Sequence, residues 1–213
     1  MTLTRRFKGF PPEAIRFFKQ LARHNNRDWF QAHKDVYEQA CREPMKDLLD
    51  ELGPKFGAGH VMRINRDIRF SRDKSPYRTH IAAGFRDSYI HLSPQGLYIG
   101  AGIYKPEPAA LQRYRSAVDS AASGRKLQSI VTTLRRKGHK VDTHQRLASA
   151  PRGYAPDHPR LDLLQMKDIF AGRMFPAGRW LSTRQAFERV KKVMTDTVPL
   201  VEWIRANVGS RES

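Results

Sequence analysis

From its amino terminus the chain first shows a helical period. Pro11 and Pro12 open a segment with Ile15, Phe17, Phe18 and Leu21 on one broad face, and Asn25 or Asn26 can cap the helix that follows. In that second helix Trp29, His33, Val36, Tyr37 and Ala40 recur at helical offsets and form one stripe. Pro44 starts a third helix with Met45, Leu48, Leu49 and Leu52 inward, and Gly53-Pro54 is expected to stop it. From Val61 the period changes to two, which predicts strands over 61–70, 78–86, 88–92 and 97–104, with Ser93-Pro94-Gln95-Gly96 as a hairpin turn. The helical period returns after Pro106 and Pro108 at 109–121 and 124–137, closed by Gly138. Residues 146–160, with Pro151, Gly153, Pro156 and Pro159, read as a loop or linker. A last helix over 181–207 carries Val190, Val193, Met194, Val198 and Val201.

Helices, then consecutive hairpin strands, then helices predict an α+β fold: an antiparallel meander packed by N-terminal and C-terminal helices. The 213 residues are expected to form a single domain, helical over 11–57, sheet over 61–104, and helical and loop over 105–208. A doubly wound parallel sheet is disfavoured, because strands do not alternate with helices and Gly100 and Gly102 lack the third glycine of a dinucleotide loop.

Charge changes this picture most. The chain holds 39 Lys+Arg against 21 Asp+Glu, a formal +18, and 26 of the basic residues are Arg, whose planar fork suits phosphate and carboxylate. The excess is uneven: residues 105–152 hold 11 basic and 3 acidic residues, whereas residues 1–60 hold 11 and 8. No apolar run approaches a membrane span, no secretory leader is recognisable at Met1, and the lone Cys41 has no partner for a disulfide or a Cys-x-x-Cys site. A cytoplasmic protein with no membrane partner is the expectation. The Walker, HExxH and GxSxG signatures are absent. His33 reads as a core or boundary residue, and His139 and His144 have only Asp142 beside them. No metal site and no cofactor are expected.

Candidate chemistry concentrates in Arg63-Ile64-Asn65-Arg66-Asp67-Ile68-Arg69-Phe70 and the turn Ser71 to Tyr77. In an extended strand Ile64, Ile68 and Phe70 share one face with Arg66, and Arg63, Asn65, Asp67 and Arg69 share the other. Asp67 can then orient Arg69, while the turn swings Lys74 and the Tyr77 hydroxyl over the same surface. The same residues also read as a solvated polar face with one snorkelling arginine. Along 97–104 the parity puts Tyr98, Gly100, Gly102 and Tyr104 on one face, a trough that admits either a ligand or a tightly packed helix.

The string R-x-x-R-D-x-R-F-x-x-D-K-x-x-Y, formed by Arg63, Arg66, Asp67, Arg69, Phe70, Asp73, Lys74 and Tyr77, resembles the hallmark of the conserved hypothetical proteins grouped as domain of unknown function 2461. The similarity extends to Asn25-Asn26-Arg27-Asp28-Trp29-Phe30, Thr79-His80-Ile81, Gly96 to Tyr104, Pro151-Arg152-Gly153-Tyr154 and Asp157-His158-Pro159. The resemblance carries no established activity. It implies that a polar, Arg-rich segment is the hallmark of the family.

These readings together lead to an expectation of a phosphorylated or otherwise anionic small ligand, with phosphoester or acyl-type chemistry as the reaction class. Asp67, Tyr77 and His158 are the candidate catalytic residues, and Arg63, Arg66, Arg69, Lys74 and Arg152 the ligand-binding ones. The alternative is weak, sequence-independent nucleic-acid binding through 105–152, where Tyr114 lies between Arg113 and Arg115. Neither reading sets an oligomeric state.

Overall fold

The structure, a computed structural model, describes residues 6–209. Its fold is α+β, with a six-stranded antiparallel sheet in the order β1-β2-β3-β4-β6-β5. The strands are β1 (His60–Val61), β2 (Ile81–Gly84), β3 (Ser88–Ser93), β4 (Gly96–Ile103), β5 (Lys140–Asp142) and β6 (Ile169–Pro176). The described chain gathers into two compact units, one of residues 6–99 with 174–192 and one of residues 100–173 with 193–209.

In the first unit, α1 (Pro12–Arg23) turns Ala14, Phe17, Phe18 and Leu21 inward, close to the predicted stripe. The Asn26 side chain caps α2 (Arg27–Ala32) by accepting from the Trp29 N–H at 2.9 Å. The single second helix expected from periodicity is divided in three. His33 leaves the helical conformation at φ −118°, ψ 14°, α3 (Lys34–Tyr37) restarts, and a π turn follows over Glu38–Arg42. Breaking the helix and widening its turn rotate the stripe. Phe30, Tyr37, Ala40 and Cys41 are therefore buried, while Val36 is exposed. His33 is a half-buried boundary residue, stacked on Trp29 at 4.0 Å with its Nδ1 against the Trp29 carbonyl.

Helix α4 (Glu43–Phe56) buries Met45, Leu48, Leu49 and Leu52 as expected, but it runs through Gly53-Pro54 to a cap at Gly57, φ +88°. Phe56, edge-on to Phe85, holds that last turn in place. The beginning of the chain is tied to this helix by Glu51, which accepts from the Phe7 N–H at 3.0 Å and from both terminal nitrogens of Arg184 at 2.6 Å.

The sheet of this unit is fixed by the β2–β3 register, Ile81↔Leu92, Ala82↔His91, Ala83↔Ile90 and Gly84↔Tyr89. Paired residues share a face, so Ile81, Ala83, Ile90 and Leu92 enter the core and Ala82, Gly84, Tyr89 and His91 point the other way. The hairpin at Ser93 to Gly96 forms as expected. Gly96 is required there: at φ +136° a Cβ would sit 2.0 Å from the Phe175 carbonyl oxygen.

Residues 62–80 do not form the predicted strand. Beyond β1 the segment contains only the isolated bridge Asn65↔Tyr77, flanked by Arg66 N–H to the Pro76 carbonyl at 2.8 Å and Arg78 N–H to the Ile64 carbonyl at 2.9 Å. Between these bonds the chain doubles back, because its short polar side chains bond to their own backbone. The Asp73 carboxylate accepts from the Ser75 N–H at 2.9 Å, and Ser71 N–H closes a turn on Ile68. Strand parity fails with it: Ile64 is buried, but Phe70 is 97% exposed.

The second unit contains α5 (Pro108–Asp119) and α6 (Ala121–Arg136), closed at Gly138 as the sequence predicts, together with α7 (Leu161–Leu164). Tyr114, Val118, Leu127, Val131 and Leu134 pack against Leu163, Leu164, Met166 and Ile169, and against Leu200, Trp203 and Ile204 of the last helix, α8 (Gln185–Asn207). Buried Arg160 closes the end of α5, donating from Nε to the Val118 carbonyl at 2.7 Å and from NH2 to the Asp119 carbonyl at 2.8 Å. The predicted trough in β4 is closed at Gly102, where a Cβ would lie 2.2 Å from the Ile169 carbonyl oxygen of β6. A strand backbone fills that position. β5 and β6 are absent from the periodicity reading, since each is short or ends in an exposed run.

Two glycine replacements test these backbone assignments by chemical denaturation. Gly96→Ala should lower stability by about 2–4 kcal/mol, because the added carbon meets fixed backbone. Gly53→Ala should raise it by about 0.5–1 kcal/mol, since nothing lies within 4 Å of the new Cβ and alanine favours the helix.

Candidate functional site

The charged segment 63–77 forms a self-contained loop tip. Arg66 is half-buried and bonds Asp73, the Ser75 carbonyl at 3.3 Å and the Ser71 hydroxyl at 3.4 Å. Both its terminal nitrogens are engaged inside the loop. Arg69 donates from Nε and NH2 to the two Asp67 oxygens at 3.0 and 2.7 Å, and Lys74 Nζ donates to the Ile68 carbonyl at 3.1 Å. Arg69 holds the Asp67 carboxyl below its ordinary range, and bonds from Ser75, with Arg66 behind them, bring Asp73 down to about 2. Arg63 is exposed beside this loop.

Tyr77 is a structural anchor. Asn25 clasps its backbone from both sides, donating to its carbonyl at 2.9 Å and accepting from its N–H at 3.1 Å, while its ring stacks on Phe30 at 4.1 Å. Tyr77 therefore does not join Arg69 and Lys74 in one pocket, the arrangement expected of a strand followed by a turn. His158 and Arg152 belong to the second unit. His158 has both ring nitrogens engaged, Nε2 with Asp119 at 3.1 Å and Nδ1 accepting from the Arg160 N–H at 3.0 Å, which leaves no nitrogen for proton transfer. Arg152 is exposed on the loop before it.

A denser polar cluster lies on the sheet face opposite Ile90 and Leu92. The β2–β3 register places Tyr89 and His91 there over the small residues Ala82 and Gly84. Tyr98 of β4 stacks on His91 at 5.3 Å and 24°, Tyr89 lies 5.5 Å from His91, and His80, just before β2, lies 5.2 Å from it. At the β1 edge His60 pairs with Gly84, and the His60 ring and Met62 wall the space above that glycine.

Two buried atoms in this cluster, His80 Nε2 and His91 Nδ1, have no hydrogen-bond partner among the described residues. Burial pushes both imidazoles toward the neutral form, His91 to about 4. Burial also raises Tyr89 and Tyr98, the latter to about 12, so both phenols stay protonated. Arg78 is close enough for its charge to lower His80 further and to offset part of the rise at Tyr89. It is half-buried, and its guanidinium makes no hydrogen bond or ion pair with the described residues. Neutral donor–acceptor groups and one unspent cation form a surface suited to an anion carrying several oxygens.

The sequence reading missed this arrangement because His80, His91 and Tyr89 are dispersed and are gathered only by strand register. Tyr98 was the available signal, since it stood on the polar face of β4. Among the described residues no group of three or more His, Cys, Asp or Glu is placed to hold a metal ion.

The molecule is thus an α+β protein whose antiparallel sheet buries one apolar face and carries an imidazole and phenol cluster on the other. The family model described as a conserved hypothetical protein (DUF2461) matches residues 13–203, and the chain belongs to that family. No curated protein matches it. No helix is long and apolar enough to cross a membrane among the described residues.

Titration checks the cluster. The folded state holds His91 near 4, against about 6.5 for the free side chain, so below pH 6.5 the unfolded chain takes up a proton that the folded chain refuses. Stability should be full above pH 6.5 and fall as pH drops toward 4. His91→Gln should flatten that part of the thermal-unfolding profile.

Proposed function

We propose that this protein binds a small molecule bearing a phosphate or carboxylate at the His80–His91–Tyr98 cluster, with Arg78 as the recognising charge. The observation that carries this reading is the half-buried Arg78 guanidinium, unpaired among the described residues and close enough to His80 and Tyr89 for its charge to act on both, in a cluster where His80 Nε2 and His91 Nδ1 also lack partners among the described residues. A guanidinium partly removed from water without a partner is costly, and a bound anion would supply that partner. Arg66, Arg69 and Lys74 support it less, since each already bonds inside its own loop. Proton transfer at the site, in phosphoester or acyl-type chemistry, would use a neutral imidazole as acceptor rather than Asp67 or His158. The nucleic-acid reading of 105–152 loses its aromatic partner. Tyr114 is 1% exposed and donates its hydroxyl to the Leu163 carbonyl at 3.0 Å.

A thermal-shift series with inorganic phosphate and small phosphorylated compounds tests the reading. A ligand at a hundred times its Kd should stabilise the parent by about 2.7 kcal/mol. Arg78→Ala should remove the shift, whereas Arg69→Ala and Lys74→Ala should keep it. Binding should strengthen as pH falls from 7 toward 5, because an anion favours protonation of the imidazoles beside it. If Arg69→Ala or Lys74→Ala removes the shift and Arg78→Ala does not, the ligand sits on the loop tip instead.

A further inference from the structure

The second unit holds a different histidine, with the geometry of a proton-transfer centre. Asp168, its side chain 3% exposed, accepts the Thr143 hydroxyl at 2.6 Å, the His144 N–H at 2.7 Å and His144 Nδ1 at 2.9 Å. A carboxylate fixed in this way settles the tautomer: Nδ1 carries the proton and Nε2 presents its lone pair. The ring is held between Tyr104, edge-on at 4.8 Å, and Phe170 at 4.6 Å, yet 48% of the side chain remains exposed. Nδ1 is occupied and both flanks are covered, so the open edge of the ring is the one bearing Nε2. Nε2 has no hydrogen-bond partner among the described residues.

The chain supplies no nucleophile to this base. Thr143 spends its proton on Asp168, and no other hydroxyl or thiol bonds the imidazole among the described residues. A nucleophile must therefore arrive with the substrate or be water. The surroundings narrow the substrate. Tyr104 is 43% exposed, and Lys105 Nζ lies 5.2 Å from its ring on the one non-glycine residue with positive φ among the described residues, +44°. Arg146 and Lys167 flank the dyad in sequence, Arg146 inside the segment 105–152 where basic residues outnumber acidic ones. An exposed aromatic ring beside a lysine suits a stacked base with its phosphate, and RNA brings its own nucleophile in the 2′-hydroxyl.

We propose that His144, positioned by Asp168, is the general base of a metal-independent cleavage of single-stranded RNA. Nε2 takes the 2′-hydroxyl proton, and the 2′-oxygen bonds to the adjacent phosphorus. The bond from phosphorus to the 5′-oxygen breaks, and that oxygen takes a proton from water. The products are a 2′,3′-cyclic phosphate and a 5′-hydroxyl end, and His144 returns its proton to solvent. No electron transfer and no co-reactant are involved. This inference is independent of the anion site proposed for Arg78.

The test uses the full chain, a fluorescent RNA oligonucleotide of mixed sequence and excess EDTA. Cleavage should occur, mass spectrometry should find the cyclic phosphate, and an all-DNA strand should stay intact. His144→Gln should lower the rate at least 100-fold at an unchanged melting temperature, and Tyr104→Ala should raise KM about tenfold with a smaller effect on kcat. Asp168→Asn should lower kcat and leave KM unchanged, because the imidazole loses the carboxylate that fixes its tautomer while the RNA-contacting surface stays as it was. A merely loosened fold would raise KM as well. Equal rates in parent and His144→Gln, strict dependence on a divalent metal, or an uncut RNA would each overturn the proposal.

Discussion

The pairing of β2 with β3 is the constraint on which the first unit depends. Side chains alternate along a strand, so fixing Ala83 opposite Ile90 decides at once which residues pack against the helices and which form the opposite surface. A slip of one residue would bury His91 and Tyr89 in the core and expose Ile90 and Leu92. Such a slip would place an imidazole in the apolar core, where it would have no partner. Core and candidate site are thus two faces of one register, and the small residues Ala82 and Gly84 give the polar face its floor.

The Arg-rich loop is organised differently. Its charges hold its own backbone: Arg66 spans from Asp73 to Ser71, Arg69 locks onto Asp67, and Lys74 reaches back to Ile68. Exposed ion pairs add little stability individually, but together they set a short segment into one shape, with Asn25 and Phe30 anchoring its base at Tyr77. A motif of this density can therefore mark a demanding local backbone as well as a place where ligands meet the protein.

Much of the fold was legible from period and punctuation. The α1 and α4 stripes, the Pro94-Gln95 hairpin, the α5–α6 pair and the long final helix follow from apolar spacing, proline and glycine. The break at His33 and the π turn after Tyr37 were not, because each changes the phase of a stripe without changing its composition. The segment 61–70 misled for a related reason: alternation of charged and apolar residues is the strand signal, yet Asp and Ser side chains offered the backbone closer partners than a neighbouring strand. The candidate sites were the least legible part. His144 sits 24 residues before the carboxylate that orients it, and His80 meets His91 only across a hairpin. Neither pairing has a local spacing from which to read it.

Cys41 carries a practical consequence. It is the only thiol of the chain, it is wholly buried within the π turn, and burial raises its pKa far above the ordinary range. A disulfide or maleimide reagent can reach it only when the helices around it part. With excess reagent, the modification rate measures how often they open, so the native sequence already contains a clock for the breathing of its first unit.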